Sequence, residues 1–352
     1  MKVFFLIEQL YNSAGTERIA TDVVNELSIK TDWDIKFIVL NKNIKTAFTL
    51  NDKVKVVSLS SKLSSPIKAI RRLRNIIKSE RPDYIINVAT IMSRISIPAT
   101  ILTNTKVITW EHFNLYAGSK LGYLWRIFSA TLSDITVVLT HRDLNCYPSL
   151  IRKKLQTIYN FPTEMKGNTS LIKSNVAISV GRLTYQKGFD ILLDVWKKVV
   201  ESGCKWKLYI IGSGEDEVKL KETANKLGLS DNVSFIPNTP NISEYYEEAS
   251  LYIMTSRYEG LPLVLIEAKQ KGLPCISFNC PNGPDEIIRD NKDGYIIDFG
   301  DYEGMANAIL ELTSKREKLK DFSTESIMDV KSRFCKDRII EQWIDMLNTH
   351  KK

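Results

Sequence analysis

Along this chain, short runs of β-branched and aromatic residues alternate with longer stretches whose apolar positions recur every three or four residues. In the first half, runs near 2–7, 34–40, 54–57, 83–88, 106–110 and 134–139 read as strands, with helical spacing near 16–29, 66–79, 91–103 and 119–132. A polar stretch at 160–175, NFPTEMKGNTSLIKSN, holds Pro162 and Gly167 and reads as an interdomain linker. The alternation then restarts, with strands near 176–181, 207–212, 232–236, 251–254, 274–278 and 294–298 and helices between them. Such alternation builds parallel sheets. The chain is therefore predicted to be α/β, with doubly wound domains over 1–165 and 166–330. Residues 331–352 carry Ile339, Ile340, Trp343 and Leu347 at helical spacing. They predict an amphipathic helix that packs on one domain or bridges both, with a return to the N-terminal domain among its options.

Composition narrows the class. At 352 residues the length suits two ordinary domains. A chain 43% hydrophobic and 26% charged is neither collagen-like, disordered nor a coiled coil. No apolar run approaches the length that crosses a bilayer. The run MKVFFLI is too short for a secretory signal, and no small-residue cleavage site follows it. Cys146, Cys204, Cys275, Cys280 and Cys335 are scattered and odd in number. The close pair, Cys275 and Cys280, lacks a second pair or a nearby His, so neither a disulfide framework nor a zinc site is expected. The chain reads as cytosolic and reduced.

Charge is distributed unevenly. The net formal charge is +8, yet residues 1–170 hold 24 Lys+Arg against 13 Asp+Glu, a balance of +11. Residues 171–352 hold 25 against 28, a balance of −3. The excess peaks at 62–81, KLSSPIKAIRRLRNIIKSER, with seven basic residues against one acid. Such a domain expects an anionic partner: a membrane surface, a nucleic acid or a pyrophosphate.

In open parallel sheets ligands bind beyond the carboxyl ends of the strands. Two such domains facing across a central cleft would carry their chemistry in strand-to-helix loops. Two loops of the second half fit. In SRYEGLPLVLIE, residues 256–267, Glu259 falls in the turn after a strand and Gly260 permits a tight backbone. Pro262 suits the first helical position, leaving the Leu263 and Val264 amides free to receive a phosphate. Glu267 lies a turn further in, where a carboxylate accepts hydrogen bonds from a ribose diol; its neighbours LVLI and Ala268 do not suit an unpaired surface acid. In VGRLTYQKGFD, residues 180–190, Arg182 and Lys187 converge on one diphosphate, Arg as a planar fork and Lys as a point charge. The alternative for both loops is ordinary surface charge.

These motifs, in this order, resemble the retaining glycosyltransferases of family 4, whose GT-B fold sets two Rossmann-like domains face to face. Glu259 and Glu267 match the paired-glutamate signature of that family, and Arg182 and Lys187 match its diphosphate clamp. The resemblance implies sugar transfer from a nucleotide-sugar to an acceptor hydroxyl, with retention and without an obligatory metal or other cofactor. By it, Glu259 contacts the donor sugar, Glu267 the ribose, and the region 235–238, including Asn238, the base. Ser13, Ala14 and Gly15 resemble the family's glycine loop, with Ala14 replacing its first glycine. His112, after the strand KVIT, matches a histidine that positions donor or acceptor. The stretch NCPNGPDEI, residues 279–287, resembles members acting on UDP-sugars in surface polysaccharide assembly.

A leaving diphosphate needs charge stabilisation more than a transfer of this kind needs a strong base. Its own oxygen can take the acceptor's proton. No DxD-type motif ends a strand of the second domain, which agrees with metal independence. The basic segment adds a location. Ile67, Ile70, Leu73, Ile76 and Ile77 form one helical face, with Lys68, Arg71, Arg72, Arg74 and Lys78 around it. That pattern suits an anionic membrane and a lipid-linked saccharide acceptor, at the inner face of the cell membrane. The alternative is a surface helix whose stripe faces its own sheet. Two other functions compete. A non-hydrolysing sugar-nucleotide epimerase would need more His and acid–base carboxylates than are present. A nucleic-acid binder would explain the charge but not Glu259 and Glu267, so no nucleic-acid partner is expected. The string Gly212-Ser213-Gly214 lacks the third glycine of a dinucleotide fingerprint.

Overall fold

The computed structural model describes residues 1–12, 15–116, 118–162, 165, 167–281 and 283–350. The chain divides into two compact units, Met1–Asn160 with Asp337–Lys352, and Phe161–Lys336.

Among the described residues, the first unit holds a parallel sheet of β1 (Lys2–Ile7), β2 (Asp34–Val39), β3 (Lys55–Ser58), β4 (Tyr84–Val88), β5 (Lys106–Trp110), β6 (Ile135–Val138) and β7 (Leu155–Thr157). Their order is β3-β2-β1-β4-β5-β6-β7. Val3, Phe4, Phe5, Leu6 and Ile7 of β1 are all buried, the continuous apolar run expected of a strand covered on both faces. Its helices are α1 (Gly15–Lys30), α2 (Pro66–Glu80), α3 (Ser93–Thr100), α4 (Lys120–Leu132), α5 (His141–Cys146) and α6 (Ser149–Arg152).

Helices α2, α3 and α4 share one sheet face. Ala69, Leu73 and Ile77 of α2 and Met92, Ile95 and Ala99 pack in one core cluster with Phe4, Leu6 and Ile85. Asn87, two residues beyond Ile85 and so on the same face, bonds Thr109 Oγ1, which stands 3.5 Å from Ser129 Oγ of α4.

The apolar stripe of α2 is thus spent on its own sheet, and a helix cannot offer to a membrane the side chains it buries in a core. Ile67 alone of the five stripe residues is exposed. Two of the five cations are also committed: Arg72 donates to the Leu59 and Ser60 carbonyls, and Arg74 to those of Ala99 and Ile101. Lys68, Arg71 and Lys78 remain exposed as the charged outer face.

The second unit holds β8 (Val176–Val180), β9 (Lys207–Ile211), β10 (Val233–Ile236), β11 (Leu251–Met254), β12 (Cys275–Phe278) and β13 (Gly294–Ile297), all parallel, ordered β10-β9-β8-β11-β12-β13. Its helices are α7 (Phe189–Glu201), α8 (Glu217–Lys226), α9 (Ile242–Glu248), α10 (Leu263–Gln270), α11 (Pro284–Ile287), α12 (Tyr302–Ser314) and α13 (Arg316–Arg333). The strand order reverses between β8 and β11, the place where open α/β sheets receive ligands. The stretch read as a linker is anchored in its second half: Arg316 donates to the carbonyls of Ile172, Lys173 and Ser174. The last helix, α14 (Lys336–Thr349), packs in the first unit, where fully buried Trp343 meets Trp110 edge-on at 4.8 Å.

Candidate functional site

The loops leaving β8 and β11 lie side by side at the strand-order reversal, and backbone contacts stitch them together. Gly188 caps α7 with φ +65°, and a Cβ there would stand 2.2 Å from the Thr255 carbonyl oxygen. Only a glycine allows that approach, and Thr255 Oγ1 returns a bond to the Gly188 carbonyl at 2.9 Å. The Arg257 amide donates to the Gln186 carbonyl at 2.8 Å, and Gln186 Nε2 to the Tyr258 carbonyl at 3.1 Å.

Arg257 organises this seam. Its guanidinium forks onto Asp190 at 2.9 and 2.6 Å, reaches the Tyr185 carbonyl at 2.7 Å, and lies 4.0 Å from the Tyr185 ring centre. Burial acts to raise the Asp190 carboxyl, but the Arg257 bonds outweigh it and hold the acid below its ordinary range. Both residues lie within the two loop motifs, but spacing assigns neither a role.

The seam brings the candidate residues together. Lys187 Nζ is 2.7 Å from Glu259 Oε1, with both side chains mostly buried. Arg182 and Lys187 line one cavity of about 450 Å³ with Thr184, Tyr185, Gln186, Glu215 and Tyr258. Glu215 and Tyr258 are lining residues that no motif singles out. Pro262 stands at the N-cap of α10 with ψ 90°, one position before the helical start that the sequence suggests. Its carbonyl already accepts the Leu265 amide at 3.0 Å, so the Leu263 and Val264 amides are the ones left in the first turn for an anion. Glu267 is half-buried on α10, where the Tyr246 hydroxyl donates to it at 3.4 Å.

The stretch 279–287 braces the Glu259 loop. The Glu259 amide donates to the Pro281 carbonyl at 3.3 Å. Gly283 has φ +112°, and a Cβ there would lie 2.4 Å from Pro262 Cδ and 2.8 Å from the Gly260 carbonyl oxygen. Cys280 sits in the same corner, where burial first and the Glu259 charge second push its thiol up to about 12, so it stays protonated and inert. Gly212 and Gly214 serve packing: a Cβ would stand 1.9 Å from the Gly181 carbonyl oxygen and 2.3 Å from that of Leu183. Asn238 is exposed, its amide donating to Ser213 Oγ at 3.3 Å, so the loop after β10 adjoins this turn.

In the first unit, His112 leaves β5 and is buried beside Trp110, with ring centres 4.5 Å apart. Burial lowers the imidazole to about 3, so it is neutral near pH 7 and acts as a hydrogen-bonding group, not a cation. Its Nε2 has no hydrogen-bond partner among the described residues. Glu111 fixes the turn: Oε1 accepts the His112 and Phe113 amides at 3.0 and 3.1 Å, while Oε2 meets Arg126 Nε at 3.2 Å and the Thr90 hydroxyl. Burial raises the Glu111 carboxyl above its ordinary range, against the pull of Arg126. Gly15 opens α1 with free space where a Cβ would be; Ser13 and Ala14 lie outside the described residues.

Three comparisons bear on this arrangement. The family model described as glycosyl transferases group 1 matches residues 160–327. The chain is 32% identical over 362 residues to the amylovoran biosynthesis glycosyltransferase AmsD of Erwinia amylovora, covering 99% of each protein. It is 28% identical over 366 residues to the GalNAc-alpha-(1->4)-GalNAc-alpha-(1->3)-diNAcBac-PP-undecaprenol alpha-1,4-N-acetyl-D-galactosaminyltransferase of Campylobacter jejuni, covering 99% of this chain and 98% of that one. Among solved structures, a variant of TarM from S. aureus in complex with Fondaparinux, alpha-GlcNAc-glycerol and UDP matches with a TM-score of 0.79 at 15% identity, over 99% of both chains.

Proposed function

The chain belongs to the group 1 glycosyl transferases, built on the GT-B fold, and we propose that it moves a hexose or N-acetylhexosamine from a UDP-sugar to a saccharide hydroxyl with retention of anomeric configuration. The observation that carries this reading is that Lys187 pairs with Glu259 and lines one cavity with Arg182, on the loops that leave β8 and β11. In it, Arg182 and Lys187 hold the diphosphate with the Leu263 and Val264 amides. Glu259 orients the donor sugar, Glu267 reads the ribose, and Asn238 stands by the base. The anomeric carbon–oxygen bond to the diphosphate breaks as the acceptor oxygen bonds to that carbon from the same face. The departing phosphate oxygen takes the acceptor's proton. Cations and helix amides stabilise the charge that grows on the leaving group, which is where catalysis of this kind is strongest.

His112, held by Glu111 and Trp110, positions donor or acceptor as a neutral group, and Gly15 leaves backbone room at the start of α1. The reaction in this reading needs neither metal nor cofactor. The acceptor is a saccharide carried on a lipid, a reading supported by the undecaprenol-linked saccharide in the name of the Campylobacter jejuni relative. The protein then works at the inner face of the cell membrane, with Lys68, Arg71 and Lys78 of α2 toward anionic lipid. No helix among the described residues is long and apolar enough to cross a membrane.

The test is a thermal-shift panel of nucleotide-sugars with and without EDTA, followed by anomeric analysis of the product. A UDP-sugar should raise the melting temperature in either buffer and yield a product of unchanged anomeric configuration. Stabilisation only by other nucleotides, or dependence on a divalent ion, refutes the donor or the metal-free part respectively.

A further inference from the structure

We propose that α4 seats this protein on an anionic lipid bilayer, with Leu121, Leu124 and Phe128 entering the interfacial layer. The inference rests on the membrane part of the reading above and moves the apolar contact from α2 to α4.

Helix α4 has two apolar faces. One is used inside the unit: Ser129 is buried near Thr109, and Ala130 packs with Leu115, Val138 and Tyr147. The other is not: Leu121, Leu124, Phe128 and Leu132 are 77%, 60%, 49% and 47% exposed, and their spacing of three and four residues makes one stripe. Phe113 and Tyr116 just before the helix are exposed too, as are Ile101 and Leu102 after α3. A contiguous stripe of this kind on an otherwise polar protein marks a surface that meets something apolar.

Charge selects the partner. Lys120 opens the helix as an exposed cation, Arg126 is committed to Glu111, and Asp134 is the exposed acid just beyond the last turn. Arg94 of α3 lies 5.0 Å from the Trp125 ring centre, placing another cation at the edge of the stripe. The exposed cations of α2 lie on the same face of the sheet. Leucine and phenylalanine flanked by tyrosine, tryptophan and the exposed cations Lys120 and Arg94 match the layered chemistry of a bilayer surface: acyl chains, then headgroups, then negative potential.

The full chain should sediment with vesicles of phosphatidylcholine and phosphatidylglycerol and much less with phosphatidylcholine alone. The variant L121S/L124S/F128S should bind at least about tenfold less tightly at an unchanged melting temperature and unchanged UDP affinity. K68E/R71E/K78E should lose the preference for phosphatidylglycerol. Unchanged vesicle binding by the serine variant overturns the proposal. So does a wild-type dimer that the serine variant converts to monomer without either form binding vesicles, which would assign the stripe to a second copy of the chain. UDP binding and donor turnover in the same samples separate the two readings: their loss with vesicle binding intact refutes the transferase assignment and leaves the surface standing.

Discussion

Lys187 and Glu259 lie 72 positions apart in sequence and meet at 2.7 Å, joining the two loops that flank the strand-order reversal of the second sheet. A diphosphate arriving beside Lys187 competes with that carboxylate for the ammonium group, so binding of the leaving group and freedom of Glu259 are linked. Glu259→Gln is expected to lower turnover by on the order of 10³ while UDP affinity stays within a few-fold. Lys187→Ala should instead weaken UDP binding. Isothermal titration with single-turnover kinetics separates the two, and normal turnover in the glutamine variant would take Glu259 out of the site.

Gly283→Ala forces a side chain against Pro262 and the Gly260 carbonyl at a left-handed backbone position. A cost of about 1–3 kcal/mol to the second unit is expected, with a raised donor KM. Denaturation and steady-state kinetics check both, and an unperturbed KM would show that the 279–287 turn does not hold the Glu259 loop.

The Arg257–Asp190 fork gives the seam a dependence on acid. The folded carboxyl titrates below its unfolded value, so its contribution is present above about pH 4 and is lost as pH falls through the folded value. Asp190→Asn should therefore destabilise the chain at pH 7 by about 1 kcal/mol, a figure reduced for the exposure of this carboxylate. The gap should close in strong acid. A melting-temperature difference that ignores pH would deny the fork any such role.

His112 adds to the same loss in acid. Burial keeps its folded pKa near 3, so between about 6.5 and 3 the unfolded chain binds a proton that the folded chain does not. Stability falls with pH in that window, by about 2 kcal/mol at pH 5. His112→Asn should remove this slope from the denaturation of the first unit, and a slope that survives would place the titration elsewhere.

Trp343→Ala deletes a fully buried ring from α14 and should cost the first unit about 3–5 kcal/mol. The second unit should melt as before, so calorimetry is expected to show one transition move and one stay. A common shift of both would contradict the division of the chain into two units.

The strands and most helices were legible because a run buried on two faces and a helix buried on one leave different spacings in sequence. The pairing of Lys187 with Glu259 lay within reach of the sequence, because each residue sits in a loop after a strand at the order reversal. What lay hidden depends on contacts between loops. Arg257 and Asp190 are 67 residues apart and carry no signature before folding brings them together. Helix α2 reads as amphipathic whether its stripe faces lipid or a sheet, because spacing gives the width of a face and not its neighbour. The helix α4 was legible near 119–132, but its outward stripe was not, since two apolar faces blur one another in a periodicity. Short elements such as β7, α5 and α6 fall below the length at which a period can be recognised at all.

Because α14 completes the sheet-bearing unit that β1 begins, the second unit is an insertion within the first. During synthesis the inserted unit has all of its sequence while its host still waits for Trp343. Until residues 337–349 leave the ribosome, Trp110 lacks its Trp343 partner, and a nascent chain halted late would display it to chaperones with a finished second unit already attached.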